Sequence, residues 1–249
     1  MKKIILILCL SFTAQAKIGK SNLSPSLTNK LAIEFKKNLN KIERSKLKGR
    51  ILELKGKSVP ALVRVMKNDS FPDKNRWMAT FLLGQIMGKK SAVFISKFSK
   101  HPNWIMRMAS LKTLLALKQK KFSKVYGSLL NDSSMLVRYQ ALDNIKKLDI
   151  KKLAPNVWSM LYDKKNYHIS KTKTKKRSHI IRSVIRTVGD LKFEKAKKSL
   201  LSMIQKKKYK DIHVDIDYAL SKITGKKSPT DESQKKRFWK KIQISNMTI

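Results

Sequence analysis

The sequence predicts an all-α fold: an α-solenoid of about five helix pairs with capping helices at its N-terminal end. Three observations carry this prediction. Arginine recurs every 31 residues, at Arg76, Arg107 and Arg138; apolar residues recur at the same step; and a shorter apolar segment precedes each block. Self-similarity at a fixed step of this size is typical of proteins built from stacked supersecondary units.

The recurring apolar residues define a helix in each block. One set follows the arginines by seven residues and a second set by ten: Leu83, Leu114 and Ile145, then Ile86, Leu117 and Leu148. Offsets of seven and ten fall on one face of an α-helix. Each block therefore contains an amphipathic helix with the same apolar stripe.

The shorter apolar segments predict a first helix in each unit, and turn residues separate it from the second. The segments are VPALVRVM (59–66), SAVFISKF (91–98), FSKVYGSLL (122–130) and KLAPNVWSML (152–161). Asn, Asp, Ser and Pro are frequent in the intervening turns, where they end one helix and cap the next. One such pair cannot bury its apolar face alone, so we expect neighbouring pairs to stack.

The fourth and fifth units depart from the pattern. In the fourth, Ile169 stands where an arginine is expected, and the second helix begins 12 or 13 residues late, in SHIIRSVIRTVGDL. The fifth unit runs from Phe193 through KAKKSLLSMI and DIHVDIDYALSKITG, with His213 in place of the arginine. We expect both pairs to join the stack.

In these features the chain resembles the HEAT-repeat proteins, of the short bacterial exported kind, over about residues 58–224. The resemblance lies in a turn aspartate followed by Val/Met-Arg, as in NDSSMLVRYQAL and, less cleanly, HPNWIMRMASL and NDSFPDKNRWMATFLLG. It implies a ladder of aspartates and arginines between adjacent repeats, whose members here are Asp69, Arg76, Arg107, Asp132, Arg138 and Asp163. It also implies a break at the second repeat, where Lys100-His101 replaces the aspartate.

The N-terminus has the order of a secretory signal peptide. Lys2 and Lys3 precede an apolar stretch, and Ala14-Gln15-Ala16 forms a small-residue cleavage site. Cleavage after Ala16 leaves 233 residues without Cys9, the only cysteine, so the mature chain has no intramolecular disulfide. We therefore predict export, to the periplasm or beyond it.

The rest of the chain divides into three parts. Residues 17–57 are predicted to form N-terminal capping helices, 58–224 the HEAT-like array, and 225–249 a basic tail or cap containing Phe238 and Trp239. After residue 16, no segment is long and apolar enough to predict a transmembrane helix.

The composition is strongly basic. The chain has 58 Lys and Arg against 16 Asp and Glu, a formal net charge of +42, and the loss of residues 1–16 leaves +40. Such a charge attracts polyanions but does not determine a fold. Lysine outnumbers arginine 48 to 10, which favours diffuse attraction over a built phosphate site. Two interpretations stay open: selected polyanion binding, or a general preference for lysine on solvated faces.

One segment interrupts the periodicity with a run of positive charge. KNYHISKTKTKKR, at 165–177, carries six Lys and Arg and no acidic residue. Inserted loops of solenoids often contact ligands, which suggests a basic finger for phosphate or carboxylate; a solvated loop without a binding role is the alternative. The residues predicted to bind are Lys165, Tyr167, His168, Lys171, Lys173, Lys175, Lys176 and Arg177.

The tryptophans of successive repeats raise a further alternative. HEAT-like DNA glycosylases use tryptophans and an aspartate in a basic concave groove, but no residue pattern here matches their motif. We expect Trp77, Trp104 and Trp158 to pack in the core instead.

The sequence predicts neither catalysis nor a metal or cofactor. Its four histidines show no HxxxH or HExxH spacing, and GxSxG, P-loop and GxGxxG patterns do not occur. The favoured hypothesis is an exported, non-catalytic scaffold, assumed monomeric, that binds a protein partner. A module binding lipopolysaccharide, anionic lipid, a wall polymer or nucleic acid is the alternative, and a glycosylase-like enzyme is a remote one.

Overall fold

The computed structural model describes residues 25–167 and 179–245, and within these ranges the protein is helical throughout, without strands. The α-helices are α1 Pro25–Lys36, α2 Lys41–Leu54, α3 Val59–Lys67, α4 Asp73–Met87, α5 Ala92–Lys97, α6 Trp104–Ala116, α7 Ser123–Leu129, α8 Met135–Lys147, α9 Ala154–Ser159, α10 His179–Asp190, α11 Lys197–Gln205, α12 His213–Thr224 and α13 Glu232–Ser245. The prediction of an all-α, solenoid-like fold is confirmed. None of the described helices is both long and apolar enough to cross a membrane.

Helices α3 to α12 form five consecutive pairs, each with a first and a second helix. The two helices of a pair pack against each other, and each second helix also packs against the second helix of the next pair, from α4 through α6, α8 and α10 to α12. Consecutive first helices make no comparable contact. The stack is therefore tightest along the row of second helices, which we call the inner row.

The core lies between the two rows and is built from the repeated apolar stripe. Leu83, Leu114 and Ile145, the residues seven positions after the ladder arginines, are completely buried. Burying one such side chain stabilises a fold by about 1.5–3 kcal/mol. Because the same positions recur in each pair, one continuous core runs through the stack.

Three of the four turns between pairs share a backbone device. Lys118, Asp149 and Lys192 each follow a second helix with a positive φ of 52°, 47° and 52°. In each case the next residue donates its backbone N–H to the carbonyl five residues earlier, over 3.0–3.1 Å, as in a Schellman motif. Non-glycine residues are uncommon at positive φ, so the turn geometry is imposed by the packing of the helices on either side.

At the N-terminal end, α1 and α2 cover the first pair. Asn40 caps α2 and forms a capping box with Glu43, while the buried Asn75 of α4 donates to the carbonyls of Phe35 and Lys37. A single continuous amphipathic helix over 27–42 would place Ile42 with Leu31 and Phe35 on its apolar face, but the helix is interrupted at residues 37–40 and Ile42 is exposed.

At the C-terminal end, α13 packs against α11 and covers the last pair. Trp239 is completely buried, and its Nε1 donates to Asp217 Oδ1 over 2.8 Å. Asp217 also accepts from the Ser228 hydroxyl, over 2.6 Å. One aspartate on α12 thus anchors the segment that closes the stack.

The closest approach between inner-row helices yields a stability prediction. A Cβ added at Gly189 in α10 would meet the Ala219 Cα at 2.5 Å, whereas one added at Gly49 in α2 meets nothing within 4 Å. We expect Gly189→Ala to lower the free energy of unfolding by about 1–3 kcal/mol through overpacking. Gly49→Ala, the matched control, should raise it by up to about 1 kcal/mol, because alanine favours helix.

Urea denaturation followed by circular dichroism measures both variants. Equal stability of the two variants would contradict the close packing of α10 on α12.

Candidate interaction surface

Two of the ladder arginines, Arg107 and Arg138, are first held by carbonyls of the turn within their own pair. Arg107 Nη1 donates to the carbonyls of His101 and Pro102 over 2.8 and 2.7 Å. Arg138 Nη1 donates to the carbonyls of Asp132 and Ser133 over 2.8 and 3.0 Å. Each guanidinium therefore closes the turn that joins its first and second helices.

Arg107 also reaches the turn of the next pair. Its Nε and Nη2 donate to the two carboxylate oxygens of Asp132 over 2.7 and 2.8 Å, a bidentate pair. Asp132 Oδ1 in turn accepts the backbone N–H of Ser134 at the start of α8. The pair thus fixes the position of one repeat relative to the next.

Arg138 makes the next step of the ladder with other partners. Its Nε donates to Asn166 Oδ1 over 2.8 Å, and its Nη2 to the Lys165 carbonyl over 2.9 Å. Asn166 is itself buried and donates to the Met160 carbonyl. Asp163, which the family resemblance assigns to the ladder, accepts the backbone N–H of Lys165 instead.

Arg76 is buried and meets an aspartate of its own turn and a histidine of the next. Its Nη2 lies 2.7 Å from Asp69 Oδ1 and 3.0 Å from His101 Nε2. His101 Nδ1 accepts the backbone N–H of Asn103. Because Nδ1 accepts, a neutral imidazole carries its proton at Nε2 and offers the Arg76 guanidinium no acceptor. His101 therefore stands at the position that Asp132 takes one repeat later without replacing its carboxylate, and Asp69 is the side chain that accepts from Arg76.

The ladder continues to the last pair through residues that the family pattern did not identify. Arg182 Nη1 donates to Asp215 Oδ2 over 2.9 Å, and Arg186 Nη1 to Asp215 Oδ1 over 3.1 Å. Arg182 lies 13 residues after Ile169, the position expected for an arginine. The late start of the second helix was therefore the feature of the sequence from which the role of Arg182 could have been predicted. No comparable pattern marks Asn166.

The first three of these turns line a shallow groove of about 1100 Å³. Arg76, His101 and Arg107 contribute to its wall, together with Trp104. The groove opens towards the N-terminal ends of the inner-row helices. It therefore connects the ladder with the exposed side of those helices.

The exposed side of α4, α6 and α8 is rich in large apolar side chains. Register places them together, because they occupy positions −3, −2, +1 and +5 relative to the ladder arginine, and packed helices lie about 8–10 Å apart. We call this set the inner-face patch; its members are Trp77, Phe81, Trp104, Met135, Leu136 and Tyr139. Trp104 and Tyr139 are each 40% exposed and Leu136 52%, so the expectation that Trp104 packs in the core is not met.

The exposed side of α10 and α12 is different, because its charges pair internally. The Arg186 guanidinium lies 4.1 Å from the centre of the Tyr218 ring. The Tyr218 hydroxyl donates to Asp190 over 2.5 Å, and this hydrogen bond raises the pKa of Tyr218. Lys146 of α8 lies 3.1 Å from the same aspartate. The inner row thus has an apolar half and an ion-paired half.

Of the predicted basic finger, only two binding residues are described. Lys165 is exposed, and its backbone joins the ladder as above. The Tyr167 hydroxyl donates to the Leu161 carbonyl over 2.5 Å. The other predicted residues lie outside the described ranges: His168, Lys171, Lys173, Lys175, Lys176 and Arg177.

Within residues 25–167 and 179–245, no cluster of three or more His, Asp or Glu side chains is arranged to hold a metal ion. Asp215 and Asp217, two residues apart on α12, face different partners, α10 and α13 respectively. Both of these aspartates therefore act in contacts between helices.

No family model matches the chain, and a comparison with curated proteins likewise finds no match.

The ladder predicts a large coupling energy between Arg107 and Asp132. In a double-mutant cycle with Arg107→Met and Asp132→Asn, we expect about 1–3 kcal/mol of coupling, because both side chains are mostly buried and bond bidentately. The matched control is Lys147 with Asp143, a surface pair on α8. Its coupling should stay at about 0.5 kcal/mol or less.

Free energies of unfolding of the four species in each cycle provide the measurement. Similar coupling in both cycles would show that the ladder pair contributes no more than an exposed ion pair.

His101 predicts a pH dependence of stability. Burial, and next Arg76, hold the pKa of His101 below its ordinary value, while Asp69 opposes this shift. Just below about pH 6.5, the unfolded chain then binds more protons than the folded protein. The contribution of His101 to the free energy of unfolding is therefore complete above this pH and is lost as the pH falls towards the pKa of His101 in the folded protein.

We expect His101→Gln to reduce the stability difference measured between about pH 7 and pH 5. Thermal unfolding of both proteins across this range tests the point. An unchanged pH profile would show that protonation of His101 is not linked to folding.

Proposed function

We propose that the protein is an exported, non-catalytic HEAT-like scaffold that holds a protein partner against its inner-face patch. Export by the N-terminal signal peptide, membership of the HEAT-like family and a monomeric state are parts of this proposal. It includes no metal, no cofactor and no catalytic step. The polyanion-binding alternative through the basic finger depends on residues mostly outside the described ranges.

The observation that carries the proposal is the exposure of large apolar side chains on three consecutive inner helices. Trp, Tyr, Phe and Met are enriched at the centres of protein interfaces, and Trp and Tyr are frequent binding hot spots. A contiguous apolar patch of several such side chains on a soluble protein is typical of an interaction site. Single exposed apolar residues elsewhere, such as Val93 on α5, do not form such a patch.

The surroundings of the patch indicate the partner's chemistry. Lys74 lies on the same side of α4, and Lys112 of α6 extends over the Trp77 ring at 5.5 Å. A partner that fits presents apolar or aromatic side chains flanked by carboxylates, because the net field of the protein is strongly positive. An amphipathic acidic helix laid across the inner row meets both requirements.

Photo-crosslinking tests the proposal in the intact cell. A photoreactive phenylalanine analogue replaces Phe81, Trp104 or Tyr139. In controls it replaces Ile33 or Val93, which are more exposed than the patch residues but lie outside the patch. We expect the same protein adduct from all three patch positions and from neither control. Mass spectrometry identifies the adduct, and N-terminal analysis of the chain recovered with it should begin at Lys17.

Affinity measurement with the identified partner gives the energetic test. Trp104→Ala and Tyr139→Ala should each weaken binding by about 1–3 kcal/mol, as expected for aromatic hot spots, with Val93→Ala unchanged. Binding that disappears above about 0.3 M salt, with no effect of either aromatic substitution, would instead indicate simple counterion release.

A further inference from the structure

The turns between consecutive pairs expose lysines along one edge of the stack. Six of these lysines keep a constant step of 31 residues and are all exposed; we call them the lysine edge: Lys89, Lys90, Lys120, Lys121, Lys151 and Lys152. The turn between α2 and the first pair adds exposed Lys55 and Lys57, and the turn between the fourth and fifth pairs adds exposed Lys192 and Lys195. Positive charge therefore recurs at five junctions, the four between pairs and the one that precedes the first pair.

Two of the turns that present the lysine edge have the same construction. Lys120 and Lys151 each lie two residues after a residue with positive φ, Lys118 and Asp149 respectively. The same backbone hydrogen bonds close both turns, so the two lysine pairs leave the stack in equivalent positions. A groove of about 470 Å³ lies between them, bordered by these lysines and by Asp149 and Ile150.

The opposite edge has another composition over part of its length. The turns within the first three pairs, residues 68–72, 101–103 and 131–134, contain no lysine, whereas the turns within the fourth and fifth pairs hold exposed lysines: Lys164, Lys165, Lys206, Lys207, Lys208 and Lys210. Over the first three pairs, lysine therefore lies in the turns of one edge only. The five first helices, next to the lysine edge, contain no acidic residue. Over the first three pairs, the distribution of lysine therefore follows the architecture, which the overall composition alone does not explain.

We propose that the lysine edge binds a linear polyanion, a chain with a phosphate on each unit, laid along the axis of the stack. Consecutive pairs stand about 10 Å apart, the spacing of packed helices, so the five junctions form a row on the order of 40 Å long. Such a row fits an extended chain better than a compact ion. Lysine acts as a point charge without the fork of arginine, which suits a chain bound through counterion release.

A membrane surface fits the lysine edge less well. Peripheral membrane attachment combines basic residues with inserted aromatic or aliphatic side chains. In these turns the apolar residues Phe122, Ile150 and Leu153 are buried or half-buried. The site is also separate from the inner-face patch, so this inference does not depend on the proposed protein partner.

Salt-dependent binding to a labelled single-stranded oligothymidylate of about 30 nucleotides tests the inference. The edge variant carries Lys→Gln at all six positions of the lysine edge. The control variant carries Lys→Gln at six exposed positions elsewhere, with the same loss of charge: Lys41, Lys46, Lys48, Lys207, Lys240 and Lys241. Circular dichroism verifies that both variants keep their helical content and melting temperature.

The edge variant should bind at least about ten-fold more weakly than the control variant. The slope of log K against log salt should fall by about 0.7 for each lost phosphate contact, up to about 4. Inorganic polyphosphate should displace the oligonucleotide from the wild type, and a tetranucleotide should bind much more weakly than the long chain.

Three results would overturn the inference. The first is an equal loss of affinity in both variants, which indicates diffuse charge. The second is a failure of polyphosphate to compete at equal phosphate concentration. The third is binding to phosphatidylglycerol vesicles that depends on the lysine edge while oligonucleotide binding does not, which assigns the edge to a membrane surface.

Discussion

The fold depends on guanidinium groups shared between two turns. A helix pair of this length leaves one apolar face uncovered, and stacking covers it only if each pair stands in a fixed register on the last. Arg107 and Arg138 provide that register, because each closes its own turn through two carbonyls and bonds to the turn of the next repeat. A buried guanidinium left without these acceptors would be strongly destabilising.

The donor in this ladder is an arginine at each step, and its partner in the next turn changes. Asp132 accepts from Arg107 and Asn166 from Arg138, whereas His101 lies beside Arg76 without accepting from it. Asp and Asn share a short side chain and an oxygen at similar distance from the backbone, which is what the turn geometry requires. A carboxylate is therefore one solution and an amide is another, and the resemblance to an Asp–Arg ladder captures the donors better than the acceptors.

The sequence predicts the helices and their order well because the apolar stripe has a strict period. Burial of Leu83, Leu114 and Ile145 follows directly from their spacing. The role of Arg182 could also have been predicted, since the sequence shows by how many residues the second helix of the fourth unit is delayed. The role of Asn166 could not have been predicted, because it depends on a turn whose geometry no short pattern specifies. The exposure of Ile42 likewise depends on where α2 begins, which is a packing result.

The inner-face patch was only partly predictable. Trp104 was expected in the core on the basis of its residue type. Its position relative to Arg107 is that of Asp73 relative to Arg76 and of Met135 relative to Arg138. An aspartate at the equivalent position of another repeat is a sign of solvent exposure. Comparison of equivalent positions in the repeats therefore predicts that Trp104 is exposed, whereas the hydrophobicity of tryptophan alone does not.

The placement of lysine at the junctions needs an explanation beyond helix electrostatics. Each junction holds the C-terminus of a second helix, where cations are favoured, and the N-terminus of a first helix, where they are disfavoured by a similar amount of about 0.3–1 kcal/mol. Lys120 and Lys121 stand at the start of the turn leading into α7, and Lys151 and Lys152 at the equivalent place before α9. The two dipole effects nearly cancel there, so the fold gains little from these charges.

At the opposite edge, the ladder arginines already occupy the available carboxylates and carbonyls, which disfavours further cations in those turns. This accounts for the absence of lysine from the turns within the first three pairs. The 31-residue recurrence of lysine pairs on the other edge is then a feature that stability does not require, and binding of an extended anion is the physical role that its spacing fits.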